Sequence, residues 1–136
     1  MASAYPSRLI LDSGAVLALS QPGRRARARA ELQAAWEASV TIVIPAVVLA
    51  EVVRGDGPRD APVNRIVREV DLVTPTTEQH GRLAGSLLAR TVSNQTVDAL
   101  VVAEAIVGGP ARIATVDPDL RMLAEGRSGV EIVNVS

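Results

Sequence analysis

The chain has 136 residues, a net charge of −1 at pH 7 and 48% hydrophobic residues, so it is predicted to fold as one domain (residues 1–136) with a proper core. It contains no cysteine, which excludes disulfides, thiolate metal sites and thiol nucleophiles. All 14 basic residues are arginine, which excludes a Schiff-base lysine and a lysine-dependent P-loop.

Short β-branched runs alternate with longer helical patterns along the chain. In chain order, strands are predicted at residues 9–12, 41–44, 70–74, 111–115 and 130–135. Helices are predicted at residues 15–19, 25–38, 46–54, 61–69, 77–90, 96–107 and 118–124, with a loop at 55–62. This alternation is typical of βαβ units, and it indicates an α/β fold whose parallel sheet is covered by helices on both faces.

Neither a signal peptide nor a membrane-spanning segment is predicted from the sequence. No charged start followed by an apolar run is seen, and nowhere do roughly 18 apolar residues follow one another, so we expect a cytoplasmic protein with no membrane partner. The segment GRRARARAE at 23–31 is locally basic, and it is either the solvated start of a helix or a binding site for phosphate or a partner. With no Phe, one Trp and one Tyr, the chain has no aromatic platform on which nucleic-acid bases stack.

Four carboxylates stand in unusual places. Asp12 ends the run RLILD and Asp117 follows ARIATV, so both lie just past a predicted strand, where ligands bind in open parallel sheets. Glu51 is flanked by apolar residues in PAVVLAEVVRG. Asp98 lies in the first turn of the apolar helix VDALVVAEAIV, for which Thr96 is the predicted N-cap.

Each acid also has a purely structural interpretation. Asp12, and one of Asp117 and Asp119, would cap the helix that follows. Glu51 would pair with Arg54 on the same helix. Asp98 would stabilise its helix by about 0.3–1 kcal/mol through its interaction with the helix dipole.

Taken together, the four acids indicate a metal site. Two unit charges about 4 Å apart cost about 4 kcal/mol at an effective dielectric of about 20, so carboxylates that converge at one edge call for a divalent cation. Oxygen-only ligands suit Mg²⁺ or Mn²⁺, and such ions activate water and neutralise charge in phosphodiester cleavage.

Other polar residues are weaker candidates. Ser13 and Thr115 carry hydroxyls beside two of the acids, and they either orient a carboxylate or a metal-bound water or bond within their own turns. Asn94 faces the same cleft if its helix starts early. His80 is predicted on the surface. Glu104 is predicted to face solvent or a partner, because it lies six residues after Asp98 and so about 240° around the helix.

The chain resembles the PIN-domain ribonucleases and, within them, the VapC toxins of bacterial toxin–antitoxin pairs. The matching stretches are ILDSGAVLAL around Asp12, PAVVLAEVVRG around Glu51, TVDALVVAEA around Asp98 and IATVDPDL around Asp117. The order, spacing and local context of the four acids agree with the family over almost the whole chain.

The resemblance implies a three-layer α/β/α sandwich around a mainly parallel five-stranded sheet. It implies Mg²⁺- or Mn²⁺-dependent endonucleolytic cleavage of RNA, commonly tRNA or ribosomal RNA, that leaves a 5′-phosphate. Asp12, Glu51, Asp98 and Asp117 would be the catalytic and metal-binding residues. The implied partners are a small VapB-like antitoxin, which covers the acidic pocket, and a second copy of the chain in a homodimer.

Two positions depart from the family pattern. Gly14 stands where the family often has Ser, Thr or Asn, and Val116 stands where it often has a polar residue, and both changes would weaken contacts to water or substrate. One alternative is therefore a catalytically silent binding module with the same fold. A second is a haloacid-dehalogenase-like phosphatase with Asp12 as nucleophile, but Gly14 stands where that family has its second Asp, and the lysine it needs is missing.

Overall fold

The structure, a computed structural model, describes residues 6–91 and 95–136 around a five-stranded sheet. The strands are β1 Arg8–Leu11, β2 Thr41–Pro45, β3 Leu72–Thr74, β4 Ala111–Thr115 and β5 Val130–Asn134. They lie in the order β3-β2-β1-β4-β5, and every neighbouring pair is parallel. Strands β1 and β2 consist mostly of Leu, Ile and Val because both of their faces are buried. The predicted parallel sheet is confirmed.

Helices cover both faces of this sheet. They are α1 Ser13–Ser20, α2 Ala26–Glu37, α3 Ala46–Val52, α4 Gly57–Glu69, α5 Glu78–Thr91, α6 Thr96–Val107 and α7 Leu120–Ala124. Because parallel crossovers are right-handed, α1–α4, which lead from β1 to β3, share one face, and α5–α7, which lead back to β4 and β5, share the other. The packing agrees, since α1 contacts α2, α3 and α4, whereas α5, α6 and α7 contact one another. The predicted three-layer sandwich is confirmed.

The strand order creates a crevice between β1 and β4. The chain leaves β1 for the α1 face and leaves β4 for the α7 face, so the connections after these neighbouring strands diverge. Such a switch point is where open α/β sheets bind ligands. Asp12 directly follows β1 and Asp117 lies two residues beyond the end of β4, so both acids border this crevice.

Most element boundaries differ from the prediction by one or two residues and the start of α4 differs by four, and two of these differences have a visible cause. Helix α4 begins at Gly57, well inside the predicted loop at 55–62, because Asp56 caps it with a side-chain hydrogen bond. Strand β3 begins at Leu72 instead of residue 70, because the Asp71 carboxylate accepts the backbone N–H of Ile42 at 2.7 Å and replaces a strand hydrogen bond there. Within the described ranges, no helix has the length and apolar character that a bilayer crossing requires.

A buried polar network lies at the opposite edge of the sheet. His80 and Glu104 are both buried, so the predictions that they face solvent are wrong. Arg8 Nη1 donates to Glu104 Oε2 at 3.0 Å, and His80 Nε2 lies 3.4 Å from Glu104 Oε1. Arg8 Nη2 also donates to the last carbonyls of α6. A buried carboxylate is tolerated here because its charge is paired and hydrogen-bonded.

Candidate metal centre

Asp12 lies where β1 ends and α1 begins, and two elements hold its side chain. Only 3% of the residue is exposed. Its Oδ1 accepts the backbone N–H of Ala15 at 2.8 Å, so it is the N-cap of α1. The Thr115 hydroxyl, at the end of β4, also hydrogen-bonds to the Asp12 carboxylate. Asp12 therefore both caps α1 and borders the crevice.

Thr115 connects Asp12 to the next acid. Its hydroxyl accepts the backbone N–H of Asp117 at 2.9 Å, in addition to its bond with Asp12. Both interpretations of Thr115, orientation of a carboxylate and bonding within its own turn, hold at once. Asp117 Oδ1 in turn accepts the backbone N–H of Asp119 at 2.9 Å. Asp119 occupies the N-cap position of α7, but its side chain makes no capping hydrogen bond.

Asp98 lies in the first turn of α6, as predicted. The helix begins at Thr96 with Gln95 as N-cap, so the prediction that Thr96 is the cap is wrong by one residue. The turns that follow are buried and pack on α5, which fixes the direction of the acid. Asp98 is half-buried and borders a cleft of about 270 Å³, whose other lining residues are Glu51, Gln95, Thr96 and Val97. Asn94 lies outside the described residues.

Glu51 stands at the exposed rim of this cleft, on α3. The Ser13 hydroxyl donates to Glu51 Oε1. Arg54, its predicted alternative partner, instead donates to the carbonyls of Ala50 and Val53, at 3.2 and 3.0 Å. Ser13 therefore fixes Glu51 relative to the start of α1, as one of its two predicted roles requires.

The four acids lie close enough to perturb one another. The pKa of Asp12 is raised to about 6, mainly by burial and also by the charges of Asp98 and Asp117, while its two hydrogen bonds act in the opposite direction. Burial also raises the pKa of Asp98 to about 6, with added contributions from Asp117 and Glu51. Asp98 thus interacts electrostatically with each of the other three acids, and it is the hub of the cluster.

The chemistry of these donors fits a hard divalent cation. Every candidate ligand is a carboxylate oxygen, the donor that Mg²⁺ and Mn²⁺ prefer. Within residues 6–91 and 95–136, no three acidic or histidine side chains form a ready-made ligand cluster. Mg²⁺ does not need one, because it usually keeps several waters and is held by one or two carboxylates.

Gly14 and Val116, the two departures from the family pattern, are in contact with each other. A β-carbon placed on Gly14 would overlap Val116 Cγ2 and lie 3.5 Å from Val116 Cβ. Helix α1 can therefore approach the end of β4 only because residue 14 has no side chain. The two departures therefore form one structural feature, the contact between Gly14 and Val116, although they are separate positions in the sequence.

Fold and site together define an α/β/α protein with an acidic crevice at the switch point of a parallel sheet. The PIN domain family matches residues 9–126, and the chain belongs to this family. A sequence search of curated proteins gives no significant match.

Three solved structures illustrate how widely the fold is shared. VapBC2 from Rickettsia felis, bound to a DNA fragment from its promoter, aligns with a TM-score of 0.73 at 13% identity over 95% of this chain and 99% of that one. VapBC-5 from Mycobacterium tuberculosis, a member of the VapBC family of toxin–antitoxin systems, aligns with a TM-score of 0.61 at 19% identity. The alignment covers 96% of this chain and 100% of that one. FitAcB from Neisseria gonorrhoeae aligns with a TM-score of 0.65 at 17% identity over 93% and 96%. At such identities the likeness shows the fold.

Proposed function

We propose that this PIN-domain protein is a metal-dependent endoribonuclease that acts as the toxin of a type II toxin–antitoxin pair. The observation that carries the proposal is the set of four acids at the switch point, in which Asp98 interacts with Asp12, Asp117 and Glu51. Clustered carboxylates with raised pKa values in a cleft are typical of functional sites rather than of stabilising ones. Family membership and the VapBC structural neighbours support the same class of activity.

The chain's own residues prepare the site for a metal. Asp12, Asp98 and Asp117, with Glu51 at the rim, would hold Mg²⁺ or Mn²⁺, which supplies positive charge to the phosphodiester and lowers the pKa of bound water. Thr115 fixes Asp12 from one side while the α1 backbone fixes it from the other. Such supporting hydrogen bonds orient metal ligands and tune their basicity.

Glu51 has a second task, in addition to metal binding, because it is exposed. Its Oε1 is held by the Ser13 hydroxyl, so the carboxylate is oriented without being buried. A solvent-facing, oriented carboxylate suits the positioning of an attacking water and the acceptance of its proton. We assign that role to Glu51.

The proposed substrates and partners follow from the same family. The RNA would be a structured one such as tRNA or ribosomal RNA, and a small VapB-like antitoxin would cover the acidic crevice. Among the described residues, four large apolar side chains are exposed and offer surface to an antitoxin or to a second copy of the chain, namely Trp36, Leu72, Val73 and Met122. Co-expression with a candidate antitoxin, followed by light scattering of the complex and of the free chain, tests both partners.

The test of activity uses purified protein and total cellular RNA with Mg²⁺ or Mn²⁺. Parallel reactions contain EDTA, the Asp98→Asn variant, or Glu37→Gln, which removes one exposed charge from the far end of α2. We expect cleavage in the unmodified chain and in Glu37→Gln only, and mapping of the new 5′ ends identifies the RNA. Cleavage that survives EDTA or Asp98→Asn would refute the proposal.

A catalytically silent module is the second candidate, and the Gly14–Val116 contact favours it, because it places apolar atoms where the family often has polar ones. Calorimetric titration with Mn²⁺ separates the two candidates. Metal binding that Asp98→Asn abolishes supports the enzyme. An absence of binding at millimolar Mn²⁺, together with an absence of cleavage, supports the silent module.

A further inference from the structure

Three arginines at the start of α2 form a basic patch, which we define as Arg24, Arg25 and Arg27. All three are exposed, and within the described ranges none of them forms an ion pair with a carboxylate. Arg24 donates only to the side-chain oxygen of Gln21, at 3.2 Å. The fourth arginine of the segment differs, because Arg29 Nη1 is paired with Glu69 at 2.8 Å. The basic patch is therefore a group of guanidinium groups available to a ligand.

The basic patch borders a groove of about 340 Å³. The groove is lined by Ala18, Gly23, Arg24, Ala26, Arg27 and Ser136. Two of these residues are arginines of the basic patch, and one belongs to α1. The patch is thus part of a concave surface, in which a ligand can be contacted from more than one side.

The groove lies at the same edge of the sheet as the acids. Ser136 is two residues beyond β5, and parallel strands end at a common edge. Helix α1 begins directly after Asp12, and Ala18 is six residues farther on, which is about 9 Å along a helix axis. The groove, with the basic patch at its rim, therefore lies along α1 from the acidic crevice.

The charge of the patch complements a substrate that the crevice alone would repel. RNA carries a phosphate at every nucleotide, so a strand whose scissile bond lies at the acids extends past them in both directions. Guanidinium groups bind phosphate in a bidentate manner, and the start of the 12-residue helix α2 adds partial positive charge. Because the chain has almost no aromatic residues for base stacking, contact with the phosphate backbone is the mode open to it.

We propose that the basic patch and its groove bind RNA phosphates that flank the scissile bond. This inference rests on the proposed nuclease function, and it assigns to Arg24 and Arg27 the positioning of the strand along α1. Contacts with phosphates carry no sequence information, so the patch would set the register of the strand while other features select the RNA.

The experiment measures binding separately from cleavage. A fluorescent single-stranded RNA of mixed sequence is titrated with the Asp98→Asn protein in EDTA, and anisotropy is recorded over a range of salt concentrations. The test variant adds Arg24→Gln and Arg27→Gln. The matched control adds Arg65→Gln and Arg68→Gln, which remove the same amount of positive charge. Both arginines are exposed in the second half of α4, the helix that precedes the outer strand β3.

Two lost phosphate contacts predict a measurable change in salt dependence. The slope of log affinity against log salt should fall by about 1.4 in the test variant, since each contact with a single strand contributes about 0.7. Between about 50 and 200 mM salt, the unmodified patch should then lose roughly sevenfold more affinity than the test variant. The control should match the unmodified slope. Arg24→Lys with Arg27→Lys should keep the slope while it loses bidentate contacts.

The outcomes separate this inference from the proposed function. Equal slopes in the test and control variants would overturn the role of the patch, whether or not the protein cleaves RNA. A loss of binding to an acidic peptide, with RNA binding intact, would also overturn it and assign the patch to a partner protein. If the protein binds RNA through the patch but never cleaves it, the nuclease proposal fails while the patch stands. In an active protein the test variant should raise the KM for RNA and leave Mn²⁺ affinity unchanged.

Discussion

Replacing Gly14 with alanine tests whether α1 and the end of β4 interlock beside the acids. The new β-carbon would overlap Val116 Cγ2, so the Val116 side chain or the start of α1 would have to shift. Overpacking of this kind costs about 1–3 kcal/mol. We therefore expect Gly14→Ala to lower the free energy of unfolding by about 2 kcal/mol, although alanine has a higher helix propensity than glycine.

The partner substitution makes the reasoning quantitative. Val116→Ala alone removes two partly buried methyl groups and should cost about 1 kcal/mol. In that background the β-carbon on residue 14 would meet the Cβ and the backbone nitrogen of residue 116, both at the ordinary van der Waals distance of 3.5 Å. Gly14→Ala should then cost almost nothing, which gives a coupling energy of about 2 kcal/mol.

Urea unfolding of the four proteins in EDTA measures this cycle. Gly85→Ala is the matched control, because it lies in α5 with open space around it and should be neutral or stabilising. A Gly14→Ala protein as stable as the parent would refute the interlock. A penalty that persists unchanged in the Val116→Ala background would refute it as well.

Three further predictions concern the acids and the buried network. Because Asp12 and Asp98 have a pKa of about 6 in the folded state and 3.8 ordinarily, the folded protein holds protons more tightly, so its free energy of unfolding in EDTA should fall as the pH rises from about 4 to about 6. Asp98→Asn should therefore stabilise the metal-free protein at neutral pH, by about 1 kcal/mol once solvent screening of this half-exposed acid is allowed for, and should abolish stabilisation by Mn²⁺ in thermal melts. Thr115→Val should weaken Mn²⁺ binding roughly 10- to 100-fold in calorimetry, because it removes the hydroxyl that orients Asp12. Glu104→Ala should destabilise the fold by about 3 kcal/mol in urea, because it removes the carboxylate that pairs with the partly buried Arg8 guanidinium, whereas cleavage per folded molecule should not change.

The features that the sequence predicted well are those with a local signal. The strands are short runs rich in Leu, Ile, Val and Thr, and their alternation with helical patterns predicts a parallel sheet. Asp12 and Asp117 could be placed because they lie one and two residues past the end of such a run, and the ends of parallel strands share an edge. The fact that β1 and β4 are neighbours, which brings these two acids to one crevice, is tertiary information.

The wrong predictions for His80 and Glu104 concern contacts between residues far apart in the sequence. The position of Glu104 around the helix, relative to Asp98, predicts that it faces solvent or a partner. Its actual partner within the chain, Arg8, is 96 positions away in the sequence. A signal was present, since α6 is apolar on nearly every side and offers no polar face. An acid in the second half of such a helix indicates a buried partner, and His80 on the adjoining α5 lies beside the same carboxylate.

Glu104 and Asp98 stand on the same helix and show how a structural acid differs from a functional one. Glu104 is buried between Arg8 and His80, at 3.0 and 3.4 Å, so its charge is matched within the protein. Asp98, at the other end of α6, interacts with three further acids, and within the described ranges no arginine or histidine pairs with it or with Asp12. Like charges gathered in a cleft reduce stability, so folding alone does not account for them. A cation in the crevice would offset that repulsion, and this is why we assign the metal to the end of α6 that carries Asp98.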